Sequence, residues 1–476
     1  MTGPSIVWLR RDLRLRDNPA LYRAAALGPV LPVYIHAPEE EGNHATGAAG
    51  AWWLHCALRE LQQELKACSS RLLILRGEDS LAVLRRLIRD TDAAAVLWNR
   101  RYEPAGIQVD RRVKAALRED GIRAESFPGN LLREPWEVQR KDGGSFRAFT
   151  PFWRASHRLP PPATPLPAPQ LEPPAHWPDS LEPDELELLP RIPWYRGFES
   201  CWQPGEQGAN TALDIFVRNQ LSGYAGHRDL PGTPGTSRLS PHLHFGELSP
   251  RQVWAAVHAS RQYDSDSATT FLSELGWREF AHHLLYYHPQ MPDTPLDRRF
   301  EEFPWAEEQE GPLQTWQQGQ TGIPIVDAGM RELWHTGWMH NRVRMIVGSL
   351  LTKNLRIPWQ RGERWFRDTL VDADLASNSM GWQWVQGCGA DAAPYFRIFN
   401  PVRQGERFDP DGTYVRRWVP ELARLPTGNL HAPWDASVCT LRKAGVTLGE
   451  TYPEPLVDLG TSRKAALDAY QTIRNG

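Results

Sequence analysis

Ser5-Ile-Val-Trp-Leu9, Val30-Leu-Pro-Val-Tyr-Ile35, Arg71-Leu-Leu-Ile-Leu75 and Ala94-Ala-Val-Leu-Trp98 are four short apolar runs within the first hundred residues. A strand with one wet face alternates apolar and polar side chains. These runs do not alternate, so each is read as a strand buried on both faces. Around them Asn18–Leu27, Ala51–Ala67, Ser80–Asp90 and Val109–Glu119 space their apolar residues at the helical interval. Strands alternating with such helices predict an α/β domain with a parallel, doubly wound, Rossmann-like sheet. No Gly-x-Gly-x-x-Gly follows the first strand and no Gly-x-x-x-x-Gly-Lys-Ser/Thr loop occurs. The sheet is therefore not an ordinary NAD or ATP binder.

This domain is assigned to residues 1–135. Prolines crowd Pro160 to Pro178, which excludes a regular helix or a central strand there, and residues 136–205 are read as a connector, Pro-rich in part. Residues 206–476 form an all-α domain by periodicity, with helices expected at Asn210–Gln220, Pro250–Ala259, Ala268–Tyr287, Ile325–Thr336, His340–Lys353 and Trp359–Thr369.

Composition narrows the function. Lys plus Arg number 54 against 57 Asp plus Glu, a net charge of −3, so any nucleic-acid surface must be a local patch. Hydrophobic residues at 41% and charged residues at 23% exclude wholesale disorder. The five cysteines show no Cys-x-x-Cys pairing, the segment Met1 to Leu9 lacks a signal-peptide pattern, and no run of 18 apolar residues occurs. A cytoplasmic protein away from membranes is the expectation. Tryptophan is the outlier at 21 residues, more than packing needs.

Several segments carry chemistry. Gly232-Thr-Pro-Gly-Thr-Ser-Arg-Leu-Ser-Pro241 offers backbone N–H groups and hydroxyls suited to a pyrophosphate, although a surface turn has the same composition. Phe271 to Tyr287 is apolar nearly all round yet carries Glu274, Trp277 and Arg278. Either Glu274 pairs with Arg278 one turn on, or the two face a polar cavity. Helical spacing puts Trp338, Asn341 and Met345 on one face, flanked by Arg342 and Arg344; a buried Asn341 would need partners. Asp372 and Asp374 stand two apart without a matching ligand set, so no metal is expected. Arg342, Arg344, Arg397, Arg403, Arg407, Arg416 and Arg417 interleave with Tyr395, Phe396, Phe399 and Phe408, as single-stranded nucleic acid would require.

With these residues in view, the chain resembles the photolyase/cryptochrome family of blue-light flavoproteins, and within it the class I cyclobutane pyrimidine dimer photolyases. The likeness starts at Trp8-Leu-Arg-Arg-Asp-Leu-Arg-Leu15 and Phe149-Thr-Pro-Phe-Trp153 and is strongest from Tyr224 to Trp418. The resemblance implies FAD held bent in the helical domain. By that likeness Tyr224, Thr236, Ser237, Arg238, Leu239 and Ser240 hold its phosphates, and Phe271 stands beside the flavin where many class I members carry Trp. Arg278 matches a flavin-side arginine, Asp372, Ala373 and Asp374 line the flavin and ribityl side, Arg344 pairs with Asp372, and Asn378 faces the flavin N5. Glu274, Trp277, Asn341, Arg342, Met345, Trp384 and Gln404 match the substrate cavity and its rim, and Arg228 a DNA contact. Trp382, Trp359 and Trp305 match a chain of tryptophans that delivers electrons to the flavin. His44 and Glu103 match an antenna site for 5,10-methenyltetrahydrofolate.

The implied activity is that of a deoxyribodipyrimidine photo-lyase. A monomer would repair cyclobutane pyrimidine dimers in DNA by light-driven electron transfer from reduced FAD to a flipped-out dimer, with Glu274 stabilising the dimer radical anion. Two relatives stay open as alternatives. Plant cryptochromes, which are receptors, replace the residues matching Glu274, Trp277, Asn341, Met345 and Asn378; 6-4 photolyases place a second histidine where this chain has Asn341.

Overall fold

A computed structural model describes residues 3–307, 309–392 and 396–474. Five parallel strands, β1 (Ser5–Leu9), β2 (Val30–His36), β3 (Leu73–Arg76), β4 (Ala95–Asn99) and β5 (Arg123–Phe127), lie in the order β3-β2-β1-β4-β5. Ser5 stands opposite Val30 on one side and Ala95 on the other. The crossovers are α1 (Pro19–Ala25), α2 (Ala48–Ala67), α3 (Ser80–Thr91) and α4 (Pro104–Glu119). The doubly wound expectation holds. The strand absent from the sequence reading is β5, whose Arg-Ala-Glu-Ser-Phe buries only Ala124 and so shows no apolar run.

Open sheets of this order receive ligands at the carboxyl ends of the strands, where the winding reverses. Here that crevice, between β1 and β4, is filled by the protein itself. Asn99 donates through Nδ2 to Asp12 Oδ2 and Asn18 Oδ1, both at 2.7 Å, and Arg10 Nη2 donates to the Asn99 carbonyl at 2.7 Å. A plugged crevice needs no glycine-rich phosphate turn, in keeping with the missing fingerprint.

The Pro-rich stretch is no free tether. Val30 N donates to Glu172 O (2.9 Å), Leu166 N to Asp17 Oδ1 (3.0 Å) and Leu181 N to Ile74 O (2.9 Å), which lays the stretch along the sheet. Within the expected connector, α5 (Phe149–Ser156) packs against the helical part. There follow α6 (Glu206–Ile215), α7 (Tyr224–His227), α8 (Ser240–Phe245), α9 (Pro250–His258), α10 (Asp266–Tyr287), α11 (Glu310–Gln317), α12 (Pro324–Thr336), α13 (Asn341–Ser349), α14 (Trp359–Thr369), α15 (Leu375–Gln386) and α16 (Pro401–Phe408), with further helices up to Leu459–Arg474.

One expectation fails locally. The helix expected from His340 starts at Asn341, because the His340 ring caps it by accepting from Arg342 N at 3.2 Å. Trp338 therefore precedes the helix and shares no helical face with Asn341 and Met345. Asn341 is exposed at the first turn, so its amide needs no buried partner.

The seam between the two parts is polar and buried. Arg14, wholly inaccessible, donates to the carbonyls of Gly246 (2.8 Å), Gly129 (2.6 Å) and Asp17 (2.8 Å). Trp53 Nε1 donates to Glu247 at 2.9 Å, and Arg251 pairs with Asp17 at 2.8 Å. Among the described residues no helix is long and apolar enough to cross a membrane.

Candidate functional site

The loop before α8 is shaped by close approach. A Cβ on Gly235 would sit 2.6 Å from His227 Cβ, so the chain there can pass α7 only as glycine. Arg238 follows at φ +53°, a left-handed conformation costing a non-glycine residue about 1–2 kcal/mol. Its guanidinium lies 4.2 Å from the Trp202 ring centroid and 4.9 Å from that of Trp338. Its Nε and Nη2 are sealed from water without a partner. Two unsatisfied donors on the loop that carries the Thr236 and Ser237 hydroxyls suit an anion. Leu239 and Tyr224 are buried behind this cradle, and Phe271 closes the wall, 5.3 Å from Tyr224 and 4.4 Å from Phe216 between ring centroids.

Asp372 fastens this loop to α13. It accepts from Ser240 Oγ at 2.6 Å and from Arg344 Nη2 at 3.0 and 2.9 Å, the pair expected from the resemblance. Ala373 is partly buried. Asp374 caps α15 by accepting from Ser377 N (2.8 Å) and faces His282 Nε2 at 3.3 Å and His244 Nδ1 at 4.0 Å. Burial alone would raise the Asp374 carboxyl; His282, then Arg278 and His244, outweigh it and hold it well below the usual carboxylate range. Burial lowers His282, but Asp374 reverses this and leaves it raised; His244, pressed by burial and then by Arg11, falls to about 3.

On α15 the Asn378 amide donates through Nδ2 to Glu363 O (3.2 Å) and Glu363 Oε1 (3.0 Å), which leaves its Oδ1 pointing elsewhere. Burial raises the Glu363 carboxyl, opposed by Arg367, His44 and the Asn378 bond. Trp382, one turn on, is buried with its Nε1 unpaired, and an added Cβ on Gly362 of α14 would overlap its ring. Its ring meets Phe366 at 4.9 Å and Trp316 at 6.3 Å, edge to face. Trp359 is buried, and Trp305 is partly buried 4.7 Å from Phe303. Trp316 had no motif around it and escaped the sequence reading.

Of the two readings of Glu274 and Arg278, the mutual pair does not form. Arg278 turns to the Asn130 carbonyl (2.8 Å) and to Glu279 (3.6 Å). Glu274 instead takes Arg228 at 2.6 Å, Arg228 stands 4.0 Å from Asp229, and Asp229 takes Arg342 at 2.8 Å. These four residues make one half-exposed chain of charge across α7, α10 and α13. Beside it Trp277 stacks on Phe149 with centroids 3.9 Å apart and planes 10° from parallel. Met345 lies 3.8 Å from Arg342, Trp384 lies 5.6 Å beneath the exposed Arg397, and Gln404 of α16 is half-buried. The late arginines do not act as one patch: Arg344 is bound to Asp372, and Arg416 serves the carbonyls of Ala423 and Leu425. Arg403, Arg407 and Arg417 remain exposed. Tyr395 lies outside the described residues.

A cleft of about 400 Å³ opens where β1 and β2 meet the helical part, and its lining reaches Ala373. His44 and Glu103 both line it, with Arg11, Arg101, His244 and Arg367. Burial would raise Glu103, but Arg101, bonded to it at 3.1 Å, overrides this and brings it down to about 2. Among the described residues no three His, Cys, Asp or Glu side chains gather as a metal site.

Residues 271–472 match the FAD binding domain of DNA photolyase, and residues 5–170 match DNA photolyase. A deoxyribodipyrimidine photo-lyase of Agrobacterium fabrum is 49% identical, over 99% of this chain and 98% of its own. Cryptochrome-1 of Arabidopsis thaliana is 40% identical, over 97% of this chain and 69% of its own. The crystal structure of a bacterial class III photolyase from Agrobacterium tumefaciens superposes with a TM-score of 0.96 at 48% identity, covering 100% of this chain and 98% of that one. The sequence reading expected class I.

Proposed function

The chain belongs to the photolyase/cryptochrome family, and from that premise we propose that it repairs cyclobutane pyrimidine dimers in DNA under light, as a class III photolyase and not the class I enzyme first expected. The helical part is the family's FAD-binding domain. Its cradle suits that group: the unpaired Nε and Nη2 of Arg238, with the hydroxyls of Thr236 and Ser237, match a pyrophosphate, while the Ser240 hydroxyl stays on Asp372. When bound and reduced, FAD supplies the light-excited electron donor.

The chain's own residues bind, orient and keep water out. Tyr224, Leu239 and Phe271 would wall the cofactor, and Arg344 fixes Asp372 and so the loop through Ser240. Arg278 and Asp374 would stand on the flavin side, with Asn378 presenting Oδ1 toward it. Trp382, Trp359 and Trp305 would feed electrons inward. A dimer within duplex DNA is unreachable and must be flipped out, which its weakened pairing makes cheaper. Trp277 and Trp384 would then pack the base faces, Glu274 and Asn341 would bond the base edges, and Met345 and Gln404 would close the pocket. Arg228, held beside the base site by Glu274, brings a cation next to the charge that the dimer transiently carries. Arg342 and the exposed Arg397 would hold flanking phosphates. The cleft at His44 and Glu103 would take 5,10-methenyltetrahydrofolate as antenna.

The observation that carries this reading is the continuous chain Glu274–Arg228–Asp229–Arg342, which presets a charged rim beside the aromatic platform of Trp277. The test is illumination of the reduced, flavin-loaded protein with an oligonucleotide containing one thymine dimer, following recovery of absorbance by the intact bases. Recovery is expected. Flavin bound without recovery would move the reading to a cryptochrome-type receptor, and recovery on a 6-4 photoproduct alone would move it to that enzyme.

A further inference from the structure

One guanidinium lines the cleft and pairs with the carboxyl that holds the Asn378 amide. Arg367 Nη2 stands 3.5 Å from Glu363 Oε2, and Glu363, 2% exposed, holds Asn378. From the other end of the same group, Arg367 Nη1 donates to the Asn43 carbonyl at 2.6 Å and to His44 Nδ1 at 2.7 Å. His44 Nδ1 thus accepts, which places the ring proton on Nε2, where it meets the exposed Asp293 Oδ2 at 3.3 Å. Asn43, His44, Asp293 and Arg367 all line the cleft. A run of polar contacts, hydrogen bonds joined by the Glu363–Arg367 ion pair, therefore leads from Asn378 through Glu363, Arg367 and His44 to solvent at Asp293.

An arginine does not release its proton near neutral pH, so this run is not a proton wire. It is a shared charge. Resting on the reading of the cleft and the flavin side as ligand sites, we propose that Glu363 and an anionic ligand in the cleft compete for Arg367, so that seating the anion lets Glu363 take up a proton from water beside Asn378. The groups facing Glu363 support this. Arg367 and Arg364 come from its own α14, Asn378 from α15 and His44 from the cleft wall. Arg367 is foremost among the opposing charges; Asn378 is neutral and His44 accepts from Arg367. With Arg367 withdrawn, burial favours the protonated acid. Linkage makes the effect reciprocal: a ligand that engages Arg367 binds more tightly as Glu363 becomes protonated. Arg367 and Glu363 are positioning residues here, acting on the flavin side only through Asn378.

Two measurements on the flavin-loaded protein test this without reading repair. Infrared spectra should show a protonated-carboxyl band at neutral pH in Arg367→Gln that is missing from wild type, from Arg367→Lys and from the double variant Arg367→Gln/Glu363→Gln. Equilibrium dialysis with 5,10-methenyltetrahydrofolate as probe should give wild-type binding tighter by roughly fivefold or more at about pH 6 than at about pH 8, while Glu363→Gln binds tightly at both. The proposal is overturned by a spectrum of Arg367→Gln without the band, by equal pH dependence in wild type and Glu363→Gln, or by failure of both proteins to bind the probe. Loss of repair with these readouts intact would sink the functional reading alone.

Discussion

Two sets of charges draw on the same two helices, α10 and α13, and they are built differently. On the rim, Glu274, Arg228, Asp229 and Arg342 pair while their side chains stay 19–35% exposed. In the cradle, Asp372 is 3% exposed, and Asp374 and His282 are 12% and 6% exposed. Pairs half in water are worth about 0–1 kcal/mol and exchange partners readily, which a surface meant for a phosphate backbone requires. Pairs taken out of water cost several kcal/mol to break, which suits groups that must hold one cofactor in one pose. Exposure, more than pairing, separates the proposed substrate face from the proposed cofactor face.

The largest test of that contrast is Asp374→Asn, which leaves His282 buried without its counter-charge while an amide oxygen still caps the helix. A loss of about 3–5 kcal/mol is expected in urea unfolding, against under about 1 kcal/mol for any rim residue. The pH dependence has a definite sign. His282 is raised in the fold, so its contribution is complete below about pH 6.5 and fades as pH climbs through the raised folded value. Asp374 is depressed, so its share is present above about pH 4 and is lost only as acid reaches the folded value. The gap in Tm between wild type and Asp374→Asn should therefore narrow on the alkaline side.

Gly362→Ala comes next. Its methyl overlaps Trp382, so a stability loss of about 1–3 kcal/mol is expected, with altered indole fluorescence. Glu274→Ala should change stability by less than about 1 kcal/mol and leave flavin absorbance intact, yet lower the repair yield per photon. The smallest effect belongs to Arg342→Ala. Tm should stay level while the slope of log affinity for DNA against log salt falls by about 1. Rim variants destabilised as much as Asp374→Asn, or an Asp374→Asn as stable as wild type, would erase the distinction.

The sheet was legible because four of its strands are buried on both faces, and β5 was hidden because it is not. The cradle could be read as a Gly/Ser/Thr cluster, but only the structure shows Arg238 with two sealed, unpaired donors. Glu274 was given a choice of Arg278 because a partner one turn away is visible in a sequence, whereas Arg228, 46 residues off, is not. Asn341 looked buried because the helix was started one residue early, before the His340 cap was known. Glu363 left a signal that went unread: it falls on the stripe of Trp359, Gly362 and Phe366, where a carboxyl must be buried, and all four are. Arg367, one turn further, has no motif around it that would single it out.

Arg14 has a mechanical consequence. Its guanidinium is gripped by carbonyls from three separate segments of chain, one of them beyond the connector, so neither half of the molecule can slide or hinge without stranding a cation in a dry interior. The distance from cleft to cradle is thereby a constant of the architecture. Two pigments seated there would keep one spacing and one mutual orientation, and excitation would pass between them at a rate indifferent to solvent viscosity.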